Sequence, residues 1–190
     1  MGCLLITGMV VVAWNAEIIT CIKCLTHQHR GHGYWPSMER NASTSLKTLA
    51  SAESDFRAND RDGDDVNQFW RRDVAGLYAL TPAGQPPIKI IELSVAAADD
   101  RPVIDLSPYA ARSSKSGYWY RAIRHAEEDP KALDPNRFAF FAFPDPSSAA
   151  KHCFVIDENS TIFRAVAEGR RGIDVYPTKE ELKKDWEPLN

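Results

Sequence analysis

Gly117-Tyr-Trp-Tyr-Arg-Ala-Ile123, Arg137-Phe-Ala-Phe-Phe-Ala-Phe-Pro144, His152-Cys-Phe-Val-Ile-Asp157 and Ser160-Thr-Ile-Phe-Arg-Ala-Val166 are four short runs rich in aromatic and β-branched residues. Pro, Asp, Asn and Ser separate them, and that alternation of strand formers with turn formers predicts an antiparallel meander. In the second run Phe138, Phe140 and Ala142 alternate with Ala139, Phe141 and Phe143, so both faces are apolar. A strand of that kind belongs inside a sheet rather than at its edge. Asp157-Glu-Asn159-Ser160 predicts a tight hairpin in which Asn159 takes the left-handed conformation. Cys153, flanked by apolar residues, reads as a small buried hydrophobe. The aromatic side chains read as core and cross-strand pairs rather than a stacking platform for a ligand. His125 and His152 flank strands with no partner at a catalytic spacing and read as solvated or capping residues.

Upstream, Asn41–Asn59 carries helical spacing, with Ala42, Leu46, Leu49, Ala50 and Phe56 on one face. Asn41 or Ser43 is the expected N-cap, and Glu53 with Arg57 the expected i,i+4 ion pair. Asn67–Leu80 is apolar enough for a short helix or an irregular layer, Thr81–Pro87 is a break, and Ile88–Ala98 reads as a strand or a short helix. Downstream, Thr178-Lys-Glu-Glu181 is a capping box opening a short helix, followed by Trp186 as an anchor. The expected fold class is therefore α+β: an N-terminal amphipathic helix packed on a three- to four-stranded antiparallel meander. Residues 41–190 form the globular domain and residues 1–40 a separate segment.

The chain has 190 residues, and 44% of them are hydrophobic, enough for a packed core. A net charge of −3 gives no electrostatic case for nucleic acid, which would need a basic face, so nucleic acid is not an expected partner. Leu4–Trp14 is apolar apart from Thr7 and Gly8, and the run extends to Ile22 only across Asn15 and Glu17. It reads as a membrane anchor or as a misread or truncated start. Two constellations could hold a metal. Cys21, Cys24, His27, His29 and His32 supply thiolate and imidazole ligands for zinc, but crowded into one short stretch. Asp60, Asp62, Asp64 and Asp65 around Gly63 resemble half of a calcium loop. Its register places Ala58 at the first ligand position and Phe69 at the twelfth, so a solvated acidic turn is the alternative. No nucleophile elbow, phosphate loop or His-Glu-x-x-His motif occurs, and no enzyme activity is expected.

From Asn41 onward the chain resembles the globular part of type IV pilin-like proteins, including the pseudopilins of type II secretion. The residues that carry the resemblance run from Ser45 through Glu53 to Ala58, then Asp73-Val-Ala-Gly-Leu-Tyr78, Gly117-Tyr-Trp-Tyr-Arg-Ala122, Phe138–Pro144 and Phe154–Ile162. The resemblance implies a bacterial envelope protein, anchored in the inner membrane by its N-terminal segment, with an exported globular domain. Its implied partners are other pilin-like subunits or secretion-machine components. The start of the chain departs from the family, whose members open with a basic leader and a Gly-Phe-Thr-Leu-Ile-Glu type junction. Nothing before Leu4 matches that leader, and Glu17 is not where the family places its glutamate. If the segment is no anchor, a soluble protein is the expectation.

Overall fold

The structure is a computed structural model that describes residues 35–81, 84, 86–103, 110–125 and 134–189. The apolar segment and the zinc candidates Cys21, Cys24, His27, His29 and His32 lie outside the described residues. The chain divides into Met1–Ser37 and Met38–Asn190, and the second unit holds the sheet.

Helix α1 spans Trp35–Ala58. It begins earlier than Asn41, and both expected caps lie inside it, where Ser43 Oγ donates back to the Arg40 carbonyl. Pro36 explains the earlier start, since proline in a first helical turn removes an amide that has no intrahelical acceptor. The predicted apolar face is the buried one, with Ala42, Leu46, Leu49, Ala50 and Phe56 all in the core. Glu53 shares that face and is fully buried, so it does not pair with Arg57. Arg57 instead donates to Asn136 Oδ1 at 2.9 Å and lies over the Phe69 ring.

The four aromatic runs become β1 (Tyr118–Ala122), β3 (Ala139–Pro144), β4 (His152–Asp157) and β5 (Ile162–Val166), each antiparallel to the next. Between the first two lies β2 (Arg124–His125), which pairs in parallel with β6 (Val175–Tyr176). After β6 come helix α3 (Lys179–Asp185) and strand β7 (Glu187–Leu189). Strand β7 adds to β5, so the sheet has five strands in the order β1-β3-β4-β5-β7. Among the described residues between α1 and the sheet, the regular parts are helix α2 (Leu93–Ala97) and a 3₁₀ turn at Ala75–Tyr78. Backbone bonds from Tyr120 N to the Ala98 carbonyl and from Asp100 N to the Tyr120 carbonyl, both 2.9 Å, cover the outer edge of β1.

Every residue of β3 is buried, as its two-faced apolar pattern requires. Phe140 and Ala142 join α1, Tyr118, Tyr120 and Phe154 in one cluster. Ala139, Phe141 and Phe143 join Cys153, Val155, Tyr176 and Trp186 in a second. The protein therefore has α1 on one face of the sheet and the C-terminal segment on the other. At the β4–β5 turn the left-handed residue is Ser160, at φ 59°, and not Asn159. Asp157 accounts for the exchange: its carboxylate accepts from both the backbone and the side-chain amide of Asn159, which holds that residue in the preceding turn position. At Gly117, φ is +79°, a backbone conformation that side chains strain to adopt, and an added Cβ would lie 2.2 Å from Met38 Cε and displace the tip of that side chain.

Candidate functional site

Three polar constellations stand out. The first is the turn that ends α1. One carboxylate oxygen each from Asp60, Asp62 and Asp64 lies within 4.8 Å of the others. Left-handed backbone at Asp60, Gly63 and Asp65 folds the chain back on itself and brings alternate side chains together. Much of their bonding capacity is spent locally. Asp60 accepts from the backbone amides of Asp64 and Asp65, and Asp64 accepts from Val66 N and Gln68 Nε2. Asp65 contributes its amide to this turn rather than a fourth ligand to the group. Desolvation, then the charge of Asp64, pushes the Asp62 carboxyl up. Three carboxylates meet part of the six to eight oxygens that calcium takes.

The second constellation is a pair of buried acids that shape the chain between α1 and the sheet. Glu53 Oε2 accepts from Trp70 N at 2.8 Å, which pins the irregular layer to α1. Its other oxygen is buried and has no hydrogen bond. Burial, partly countered by the Trp70 amide and the Arg71 charge, holds its carboxyl well above the ordinary range. Asp99 Oδ2 accepts from Val74 N and Ala75 N, and Oδ1 from Arg101 N, at 2.8–2.9 Å. Desolvation outweighs these bonds and raises Asp99 to about 6. Both acids satisfy backbone amides that the irregular chain leaves without ladder partners.

The third is an arginine-lined cleft of about 290 Å³ where β2 leaves the sheet. Arg71, Arg101, Arg121, Arg124 and Arg137 line it together with His125, above a wall of Trp70, Ile123, Phe138 and Phe140. Arg121 is buried on the second face of the sheet and over-determined in position. It bonds Asp100 through Nε and Nη2 and Asp174 at 2.6 Å, and it lies over the Phe143 ring. Arg101 reaches Asp174 at 2.7 Å. Burial pushes Asp174 up, but Arg101 and Arg121 outweigh it, and its carboxyl lies below the ordinary value.

His125 is buried, not solvated or capping as its sequence context suggests. Its Nε2 lies 3.0 Å from the Phe138 carbonyl and its Nδ1 lies 2.6 Å from Arg137 Nη2. A guanidinium only donates, so Nδ1 accepts and the ring proton sits on Nε2, pointing at Phe138. Glu158 is 3.2 Å from the same Nε2 and 3.3 Å from Arg137 Nε. His152 forms a 2.6 Å contact with Glu39 of α1. Cys153 is fully buried as expected, and burial pushes its thiol up to about 12, which leaves it unreactive.

Sequence reading singled out the aspartates and missed the arginine cleft. Its arginines are scattered from Arg71 to Arg137 with no spacing that announces a site, and only the chain path brings them together. Among the described residues no helix is long and apolar enough to cross a membrane. No family model, curated protein or solved structure matches the chain. The fold defines the class, an α+β domain with a five-stranded antiparallel sheet.

Proposed function

We propose that this chain is a non-enzymatic envelope protein, a pilin-like or pseudopilin-like subunit of a filament or secretion machine. The supporting observation is the order of parts. An apolar N-terminal sequence runs toward a helix whose apolar face is buried in the same core as an antiparallel meander. That order suits a subunit whose helix is fixed by its own sheet domain while the preceding segment serves assembly and anchoring. The partners are other pilin-like subunits or components of the machine, with the membrane engaged through Leu4–Ile22 and the globular domain exported. The test is fractionation of bacterial cells expressing the full chain beside a truncated chain that begins at Tyr34. The full chain is expected with the membranes and the truncated chain in the soluble fraction, folded by circular dichroism. A full chain that stays soluble would overturn the reading.

A second reading rests on the convergence of Asp60, Asp62 and Asp64, which favours a small calcium-binding domain. Desolvation and then the charge of Asp64 raise Asp62, and a cation there would favour its ionised form against both. Millimolar calcium should then raise the thermal midpoint of the full chain, and Asp62→Asn should abolish the rise. An unchanged midpoint in the parent chain would remove this reading.

A further inference from the structure

The sequence holds two Asn-x-Ser/Thr triplets, Asn41-Ala-Ser43 and Asn159-Ser-Thr161, neither with proline in the middle. Such a triplet is the acceptor pattern for an oligosaccharide on the asparagine amide, and the hydroxyl two residues on belongs to the pattern. A bulky transferring enzyme must reach both residues at once, so exposure and a bent backbone decide which triplet can serve. Asn41 lies inside helix α1, where its Nδ2 donates to Ser116 Oγ at 3.3 Å. Ser43 Oγ donates to the Arg40 carbonyl at 2.9 Å. Bending the chain there would break the hydrogen-bond ladder of a helix whose next residue, Ala42, is in the core.

The second triplet sits at the tip of the β4–β5 hairpin. Asn159, Ser160 and Thr161 are all exposed, and left-handed Ser160, at φ 59°, turns the chain between the other two. Asn159 and Thr161 both line one cleft of about 220 Å³, so the two residues that the pattern pairs border the same opening. Asn159 Nδ2 donates to Asp157 Oδ2 at 3.1 Å, a bond that uses one of its two hydrogens and leaves the nitrogen more electron-rich. We propose that Asn159 is an acceptor site for N-linked glycosylation. Its Nδ2 forms a bond to the anomeric carbon of an oligosaccharide carried on a lipid pyrophosphate. The bond from that carbon to the pyrophosphate oxygen breaks, the lipid pyrophosphate leaves with the electron pair, and one amide proton passes to a base of the transferring enzyme. In the cell this step rests on the exported placement proposed above, which brings the hairpin to the side of the membrane where the donor is used.

The test is reaction of the purified full chain, in detergent, with a bacterial oligosaccharyltransferase and a lipid-pyrophosphate-linked oligosaccharide, read by intact and peptide mass. Synthetic peptides covering residues 37–45 and 155–163 run beside it, to show what each triplet accepts when no fold constrains it. Both peptides are expected to take the oligosaccharide, and the folded chain to take one, at Asn159. Asn159→Gln should abolish the mass gain. Thr161→Ala should cut transfer about tenfold or more with the thermal midpoint unchanged, and Thr161→Ser should keep part of it. Four results would each overturn the proposal: a 155–163 peptide that is not accepted, a folded chain left unmodified, Asn41 modified as fully as Asn159, or Thr161→Ala reacting like the parent. The purified reaction needs no export, so its failure is distinct from a failure of the membrane fractionation.

Discussion

Glu53 is the residue at which local pattern and tertiary environment disagree most. Its spacing to Arg57 predicts a surface ion pair, yet it lies on the stripe shared by Leu46, Leu49 and Phe56 and is carried into the core. There it accepts the Trp70 amide at 2.8 Å, and burial raises its carboxyl well above the ordinary range. The neutral form that burial favours is nearly isosteric with glutamine. Glu53→Gln is therefore expected to change unfolding free energy at neutral pH by no more than about 1 kcal/mol. Glu53→Ala should cost about 2–4 kcal/mol, because it opens a cavity and orphans a buried amide. Urea denaturation of both variants checks the contrast, and equal losses would show that the side chain is held as a carboxylate.

At the scale of elements, the C-terminal segment decides how the sheet is finished. Thr178 Oγ1 accepts from Glu181 N, and the Glu181 carboxylate accepts from Thr178 N, which closes the capping box read from the sequence and starts α3. Helix α3 turns the chain so that Trp186 enters the second core beside Cys153 and Phe141. Strand β7 then pairs with β5. Trp186→Ala should cost about 3–5 kcal/mol through lost burial. It should also speed alkylation of Cys153, followed by peptide mass, since the tail would no longer shield that face. Unchanged labelling of Cys153 would mean that the second core survives without its anchor. The helix, the meander and the capping box were all legible, because each follows from short-range periodicity or capping chemistry. The cover on the second face was not, because Val175–Tyr176 and Glu187–Leu189 are too short and too polar in context to declare themselves as strands.

For the whole molecule, the buried acids set the pH response. Asp99 titrates at about 6 in the folded chain against an ordinary 3.8, so the folded state holds the extra proton between those values. Its contribution to stability is therefore fully present at the acidic end of that window and lost as pH rises through about 6, worth about 1–3 kcal/mol. Glu53 acts in the same direction. Asp55, Asp145 and Asp174 act oppositely. Their folded values lie below the ordinary one, so their stabilisation is lost only as pH falls below the usual carboxylate range. The urea midpoint should consequently be higher at pH 5 than at pH 7.5, and Asp99→Asn should flatten the difference. A midpoint that rises with pH over that interval would contradict the assignment.

By itself the sequence determined that there is an amphipathic helix, four strands in order, and a two-faced apolar strand inside the sheet. Those features rest on side-chain period and turn chemistry, which act over a few residues. Only the tertiary structure decided where Glu53 and His125 lie, what covers the second face, and which arginines share a cleft. The separations involved, from Arg71 to Asp174, are closed by burial of the whole core, and no local pattern encodes them.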